Sequence, residues 1–174
     1  MKETNPAVTH ITQPESDLCW ATCILMMRNV LKEVNPDHTP QTISARSFYR
    51  DRSDANIGGA DIVIKAAIED WVSGVGKCGY HARSFTWDEV KQAIDSNKPI
   101  LVGYGWSKGG GHAMVIGGYE AKGGGDWGFV RLFDPLRKEY KDISYDRLVK
   151  GDYDLENWPG AGKGHAWDAT WYLL

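Results

Sequence analysis

Cys19, His112 and Asp134 are residues of the types that carry acyl-transfer chemistry. Cys19 lies in the first turn of a predicted helix, directly after Ser16 and Asp17, which are typical helix-capping residues. Unpaired backbone N–H groups and the positive end of the helix dipole stabilise an anion at this position, which favours a thiolate. A lone cysteine is more often an inert core residue, so Cys19 predicts chemistry only together with suitable partners.

His112 follows three glycines and begins a strand that is otherwise apolar, so its ring needs a polar partner. Asp134 ends the next strand, after a glycine-rich turn. Antiparallel pairing of these strands would place both residues at the same end of a sheet, where a hydrogen bond between them is expected. That bond would orient the imidazole while its second nitrogen faces Cys19. The three residues together predict a nucleophile, a general base and an orienting acid.

Gln13 could meet a further requirement of acyl transfer, a hydrogen-bond donor for the oxyanion. Its side-chain amide and the backbone N–H of Cys19, six residues further on, would give two such donors. Three tryptophans, Trp20, Trp106 and Trp127, are candidates for lining the cleft. Core or rim positions are the more common places for such rings, so this alternative stays open.

The elements that must position these residues are predicted from hydrophobic periodicity. Apolar residues at three- and four-residue steps predict a long helix over residues 16–34, and further helices are predicted over residues 41–50, 60–72 and 87–96. The last of these begins with a capping box formed by Thr86 and Glu89. Extended runs cover residues 80–85, 100–102, 112–119, 127–133 and 166–173. Helices first and strands later predict an α+β fold, with the N-terminal nucleophile helix packed on a C-terminal antiparallel sheet.

Length and composition exclude several classes of protein. A chain of 174 residues with 42% hydrophobic and 25% charged residues predicts a single domain over residues 1–174. A net charge of −3 is too small to attract nucleic acid. The opening residues contain no apolar run, so we expect a soluble protein without a Sec-type signal peptide or membrane span, exported, if at all, by a dedicated secretion system.

Other histidines compete for the role of the base. His165 repeats the Gly-His-Ala triplet found at residues 111–113 and is followed three residues later by Asp168. In an extended strand, residues three apart lie on opposite faces, which argues against their pairing. The remaining histidines lie in segments without matching acids and are predicted to be surface residues: His10, His38 and His81.

The cysteines do not suggest a metal or a disulfide scaffold. Three cysteines are too few for a disulfide-built fold, so free thiols are expected. Cys23 lies one turn after Cys19 on the same helix face and is predicted to be a core residue. This pair matches no zinc-ligand pattern, and the glycine-rich turns at residues 107–111 and 122–125 lack the phosphate-loop pattern. We therefore expect no metal and no cofactor.

Three windows of the sequence, QPESDLCWATC, GGGHAMVIGGY and VRLFDPL, together resemble papain-like cysteine peptidases. The resemblance is to the short bacterial branches, namely secreted effector-type peptidases and the bacteriocin-processing peptidase domains of ABC transporters. It covers roughly residues 11–136 and implies Cys19 as nucleophile, His112 as general base and acid, Asp134 as orienter and Gln13 as oxyanion donor. The Asp-Leu before Cys19 and the Asp-Pro at the third window depart from larger papain-like enzymes, whose substrate preferences are not carried over.

The resemblance implies a cysteine endopeptidase that hydrolyses peptide bonds in a protein or peptide through an acyl-enzyme. A bacterial secreted effector or toxin is the implied setting, with an immunity or activating protein as a further candidate partner. The same residues would also serve a peptidoglycan amidase or an acyl transferase, because a triad does not select its amide. A catalytically inactive peptide-binding module is the third hypothesis.

Overall fold

The computed structural model describes residues 1–48, 58–74, 76–105, 110–125, 127–151 and 166–174. Its helices are α1 (Cys19–Leu31), α2 (Pro40–Ser47), α3 (Asp61–Ile68), α4 (Trp87–Asp95) and α5 (Tyr145–Val149). Its strands are β1 (Lys2–Glu3), β2 (Cys78–His81), β3 (Ile100–Gly105), β4 (Gly111–Lys122), β5 (Trp127–Phe133), β6 (Lys141–Ser144) and β7 (Ala166–Leu173). A single π-helical turn, Glu69–Ser73, extends α3.

The strands of the described chain form one sheet in the order β2-β7-β3-β4-β5-β6, and β1 pairs with β4 beyond Ile100, the residue at which β3 begins. Each neighbouring pair is antiparallel. In this register His112 lies opposite Tyr104, and Val115 lies opposite Phe133. The start of β4 and the end of β5 therefore meet at one end of the sheet.

The helix α1 is almost entirely enclosed, as its hydrophobic sequence predicts. It begins at Cys19 rather than within residues 16–18, and Leu18, whose side chain makes no cap hydrogen bond, lies at the cap position. The prediction that Ser16 or Asp17 occupies the cap position is therefore wrong. The backbone N–H of Leu18, the residue at the cap position, donates instead to Glu15 O at 3.4 Å, so a turn of main chain precedes the helix.

Two hydrophobic cores lie on the two faces of the sheet, because alternate strand residues point to opposite sides. Ala113 and Val115 of β4 belong to the core that contains α1 and α3, whereas Met114 and Ile116 belong to the core that contains α4 and α5. The predicted α+β fold, with the N-terminal helix packed on an antiparallel sheet, is confirmed. No helix in the described ranges is both long and apolar enough to cross a membrane.

The capping box at the start of α4 is present as predicted. Thr86 Oγ1 accepts from the backbone N–H of Glu89 at 3.3 Å, and the Glu89 carboxylate accepts from the backbone N–H of Thr86 at 2.7 Å. Thr86→Ala is expected to lower the free energy of unfolding by about 1 kcal/mol. Urea denaturation followed by circular dichroism measures this change.

The matched control is Thr9→Ala, which removes a hydroxyl from an exposed residue outside every helix. It is expected to change the free energy of unfolding by less than about 0.5 kcal/mol. Equal losses in the two variants would contradict a stabilising role for the capping box.

Candidate active site

His112 and Asp134 meet at the end of the sheet where β4 begins and β5 has just ended. His112 Nε2 lies 2.7 Å from Asp134 Oδ1, and both side chains are only 2% exposed. The contact predicted from strand pairing is therefore present. Because both groups are shielded from solvent, the hydrogen bond is stronger than the same bond in water, and it fixes the orientation of the imidazole.

Asp134 is itself held by its surroundings. Its Oδ1 also accepts from the backbone N–H of Leu136 at 2.9 Å, and Arg137 Nε lies 3.7 Å from Oδ2. His10 approaches from the N-terminal segment, with Nε2 3.0 Å from the backbone oxygen of Asp134. The carboxylate therefore has a defined position from which it can orient His112.

Cys19 is the first residue of α1 and is partly exposed. Its side chain forms a hydrogen bond with His112. Because Asp134 occupies Nε2, the ring nitrogen that remains for the sulfur is Nδ1. Cys19, His112 and Asp134 thus form a continuous chain of side-chain contacts.

His112 holds a proton more firmly than an ordinary histidine. Burial lowers the pKa of His112, but the hydrogen bonds to Asp134 and to Cys19, with the charges of both groups, outweigh it and raise the pKa to about 9. The imidazole is therefore protonated at neutral pH. It can act as an acid toward a group bound next to the sulfur.

Gln13 is buried, and both hydrogens of its side-chain amide are used within the turn that precedes α1. Nε2 donates to Glu15 O at 2.7 Å and to Ser16 O at 2.8 Å, while Oε1 finds no hydrogen-bond partner among the described residues. In this conformation Gln13 shapes the approach to Cys19. An oxyanion role stays a prediction that requires the amide to turn. The backbone N–H of Cys19, by contrast, is at the first helical position and has no acceptor within the helix.

The segment that carries Gln13 is bound to the segment that follows β5. The backbone N–H of Gln13 donates to Pro135 O at 2.8 Å, and Thr12 Oγ1 donates to Arg137 O at 3.1 Å. Together with the contact from His10 to Asp134, these bonds join the segment that precedes Cys19 with the residue that contacts the His112 imidazole. Sequence patterns missed this link because the two segments are more than 120 residues apart.

His10, His38 and His81, which are predicted to be surface residues, are each partly buried. His10 contacts Asp134, as described above. His38 packs edge-on against Trp71 with ring centroids 5.0 Å apart, and burial, followed by the charge of Arg28, lowers its pKa. His81 stacks on Tyr172 at 5.1 Å. Aromatic neighbours, which no local pattern reveals, cover these rings.

A cleft of about 700 Å³ opens beside the sulfur and is lined by both Cys19 and His112. Trp20 contributes to its wall, but the side chain is only 1% exposed and packs edge-on against Phe48, so it forms the floor rather than a free surface. Trp127 pairs with Lys122, ten residues along β4 from His112, and its predicted cleft position is therefore wrong. Trp106 and His165 lie outside the described residues.

The other two cysteines differ from Cys19 in their surroundings. Cys23 is fully buried, and burial, with smaller contributions from Cys19 and Asp134, raises its pKa well above the usual value. Burial raises the pKa of Cys78 to about 11. Both are therefore neutral thiols at physiological pH. Within the described parts of the chain, no group of three histidine, cysteine or acidic residues could hold a metal ion.

Comparisons with known proteins place the chain in a family. The sequence matches the Peptidase_C39-like family over residues 6–165, and no curated protein matches it. Among solved structures, the crystal structure of the Pseudomonas avirulence protein AvrPphB is similar with a TM-score of 0.39 and 11% identity, over 90% of each chain. The expected likeness to a papain-like bacterial peptidase family is confirmed. Because the family match spans most of its length, the chain belongs to the Peptidase_C39-like family, which is of the cysteine-peptidase type.

Proposed function

We propose that this protein is a cysteine endopeptidase that acts through Cys19, His112 and Asp134. The observation that carries the proposal is the continuous chain of contacts from the sulfur through the imidazole to the buried carboxylate. Membership of a cysteine-peptidase-type family supports it independently. The cleft of about 700 Å³ beside the sulfur offers room for a peptide.

In the proposed reaction, the Cys19 sulfur attacks the amide carbonyl carbon and forms a carbon–sulfur bond. Protonated His112 then gives its proton to the leaving nitrogen, the carbon–nitrogen bond breaks, and the amine departs. Neutral His112 next takes a proton from water, and the resulting hydroxide attacks the thioester. The carbon–sulfur bond breaks, which releases the acid and restores the thiolate and the protonated imidazole.

The developing oxyanion needs donors that are already in place. The backbone N–H of Cys19 at the helix N-terminus is the first donor we propose. Gln13 becomes the second if its amide leaves Glu15 O and Ser16 O when substrate binds. That movement would also change the surroundings of the buried Oε1, which has no partner among the described residues.

A protein or peptide is the proposed substrate, and a bacterial effector or toxin is the proposed setting, with an immunity or activating protein as partner. This part of the proposal rests on the resemblance of the three sequence windows. A peptidoglycan amidase or acyl transferase would use the same three residues. Parallel assays on peptides and on purified sacculi separate these activities.

Selective alkylation of the cysteines tests the proposal directly. The native protein is treated with iodoacetamide at pH 7, and peptide mass spectrometry measures the rate at each cysteine. Cys19 is expected to react at least about 100-fold faster than Cys23 and Cys78, because it is partly exposed while the others are buried thiols with raised pKa values.

The control is the same protein in urea, where all three thiols are exposed and similar rates are expected. Equal rates in the native protein would count against an activated Cys19. Failure of the native protein to cleave any member of a peptide library, or hydrolysis confined to sacculi, would refute the endopeptidase assignment.

A further inference from the structure

One wall of the cleft is acidic, and the strand order explains its position. In the sheet, β4 is followed by β3 and then by β7. The pairing of β3 with β7 shifts between Gly103, opposite Ala169, and Tyr104, opposite Trp167, so Asp168 is the extra residue of a β-bulge. The bulge turns Asp168 toward the same end of the sheet as His112, and both line the cleft.

The carboxylate of Asp168 is anchored on the main chain of β3. Its Oδ1 accepts from the backbone N–H of Gly105 at 3.1 Å. A Cβ at position 105 would lie only 2.1 Å from the other oxygen, Oδ2, so glycine is required for the carboxylate to rest there. The bulge and the glycine together hold one negative charge at the cleft wall.

Asp61, the first residue of α3, brings a second carboxylate to the same cleft. Its Oδ2 accepts from the hydroxyl of Tyr80 at 2.8 Å. Burial, and to a smaller degree the charge of Asp61, raises the pKa of Asp168. The two acids therefore lie close enough to repel each other, and neither has an ion-pair partner among the described residues.

Asp61 and Asp168 line the same cavity as Cys19 and His112, so a substrate bound at the sulfur would lie beside this acidic wall. No lysine or arginine is among the lining residues that the structure describes. Two uncompensated carboxylates beside a reactive sulfur favour a cation in a bound substrate and disfavour an anion.

The distance fits a long basic side chain. β4 and β7 are separated by β3, and a strand spacing of about 4.8 Å puts about 10 Å between the backbones of His112 and Asp168. A residue held next to Cys19 must bridge this gap to reach the acids. The flexible stem of lysine or arginine, together with one hydrogen bond, covers such a distance.

Resting on the proposed peptidase function, we propose that Asp61 and Asp168 make the enzyme selective for a lysine or arginine next to the scissile bond. The acids bind the cationic end of the side chain, and the scissile carbonyl group then lies next to Cys19. Neutral residues of the same length lose this contact, and acidic residues meet repulsion. Asp61 and Asp168 act in binding and take no part in bond breaking.

Matched peptides test the selectivity. Quenched fluorescent peptides differ at one position only, as lysine against norleucine and arginine against citrulline, which keep the shape and remove the charge. Wild type is expected to prefer the cationic member in kcat/KM by about 10- to 100-fold. The preference is expected to shrink as salt is added, because partly exposed charges are screened.

Asp168→Asn and Asp61→Asn remove charge while keeping an oxygen that accepts from Gly105 N–H or from the Tyr80 hydroxyl. Each is expected to reduce the preference, and the double variant is expected to lower kcat/KM for the lysine peptide to about the value for the norleucine peptide. The control is Asp88→Asn, which changes an exposed acid on α4 outside the cleft and should keep the wild-type preference.

Binding to Cys19→Ala, measured by fluorescence anisotropy with the same peptides, keeps the proposal testable without catalysis. Equal binding of lysine and norleucine peptides overturns the selectivity, whatever the chemistry. If hydrolysis depends on Cys19 but is equally fast for the lysine and norleucine peptides, the selectivity is overturned and the peptidase function stands. Preferential binding of the cationic peptide without any hydrolysis supports the acidic wall and refutes the peptidase function.

Discussion

Cys19→Ala and His112→Ala are each expected to lower kcat/KM for a cleavable peptide by about 10⁴- to 10⁶-fold. In the proposed reaction, the first variant lacks the sulfur that forms the acyl-enzyme. The second lacks the group proposed as proton donor for the leaving amine and as base for water. Because the two groups act as a unit, the double variant is expected to lose no more activity than either single variant.

His81→Ala is the control for loss of an imidazole, since His81 stacks on Tyr172 and does not line the cleft. It is expected to retain activity within a few-fold of wild type. Circular dichroism and thermal unfolding of all variants verify that the fold is kept. Substantial peptide cleavage by Cys19→Ala, or additive losses in the double variant, would exclude the proposed mechanism.

Asp134→Asn is expected to lower kcat/KM by about 10³- to 10⁴-fold. An amide of the same shape loses the negative charge and weakens the control of the imidazole orientation. It also removes one of the interactions that raise the pKa of His112 to about 9. In wild type, activity that needs protonated His112 is expected to fall as the pH rises through about 9, and in Asp134→Asn this fall is expected at lower pH.

The same shift predicts how stability depends on pH. The pKa of His112 is raised in the folded state from an ordinary value of 6.5 to about 9. Protonated His112 therefore stabilises the fold fully below about pH 6.5, and this contribution is lost as the pH rises through about 9. His112→Gln is expected to remove that part of the pH dependence, measured by urea denaturation at a series of pH values.

Asp146→Asn, which changes an exposed acid in α5, is the control for the pH profile of activity and for the pH profile of stability. In both profiles the fall at alkaline pH is expected to stay where it is in wild type. If activity falls at the same alkaline pH in wild type and in Asp134→Asn, Asp134 does not raise the pKa of His112. Unchanged activity in Asp134→Asn would remove it from the mechanism.

Local sequence signals predicted much of the secondary structure. β5 and β7 have the predicted bounds, 127–133 and 166–173, because runs of strand-favouring residues between turns define them locally. The capping box set the start of α4 in the same way. β2 runs over Cys78–His81 instead of residues 80–85, because an edge strand extends only as far as its pairing with β7.

The positions of the candidate site residues could also be predicted from the sequence. A cysteine at a helix start, a histidine at a strand start and an acid at the next strand end have positions that follow from helix and hairpin geometry. Antiparallel pairing then brings His112 and Asp134 together, as the structure has them. These predictions succeeded because each depends on neighbours along the chain or on a single hairpin.

The surroundings of those residues depend on contacts between distant segments, which only the folded chain reveals. His10 reaches Asp134 across 124 positions, Gln13 uses its amide in the turn before α1, and Trp127 lies at the far end of its hairpin. The acidic wall arises from a β-bulge that turns Asp168 toward Gly105, a shift in pairing that local residue preferences do not specify. Helices and strands follow short-range rules, whereas the lining of a cleft is set by how those elements pack.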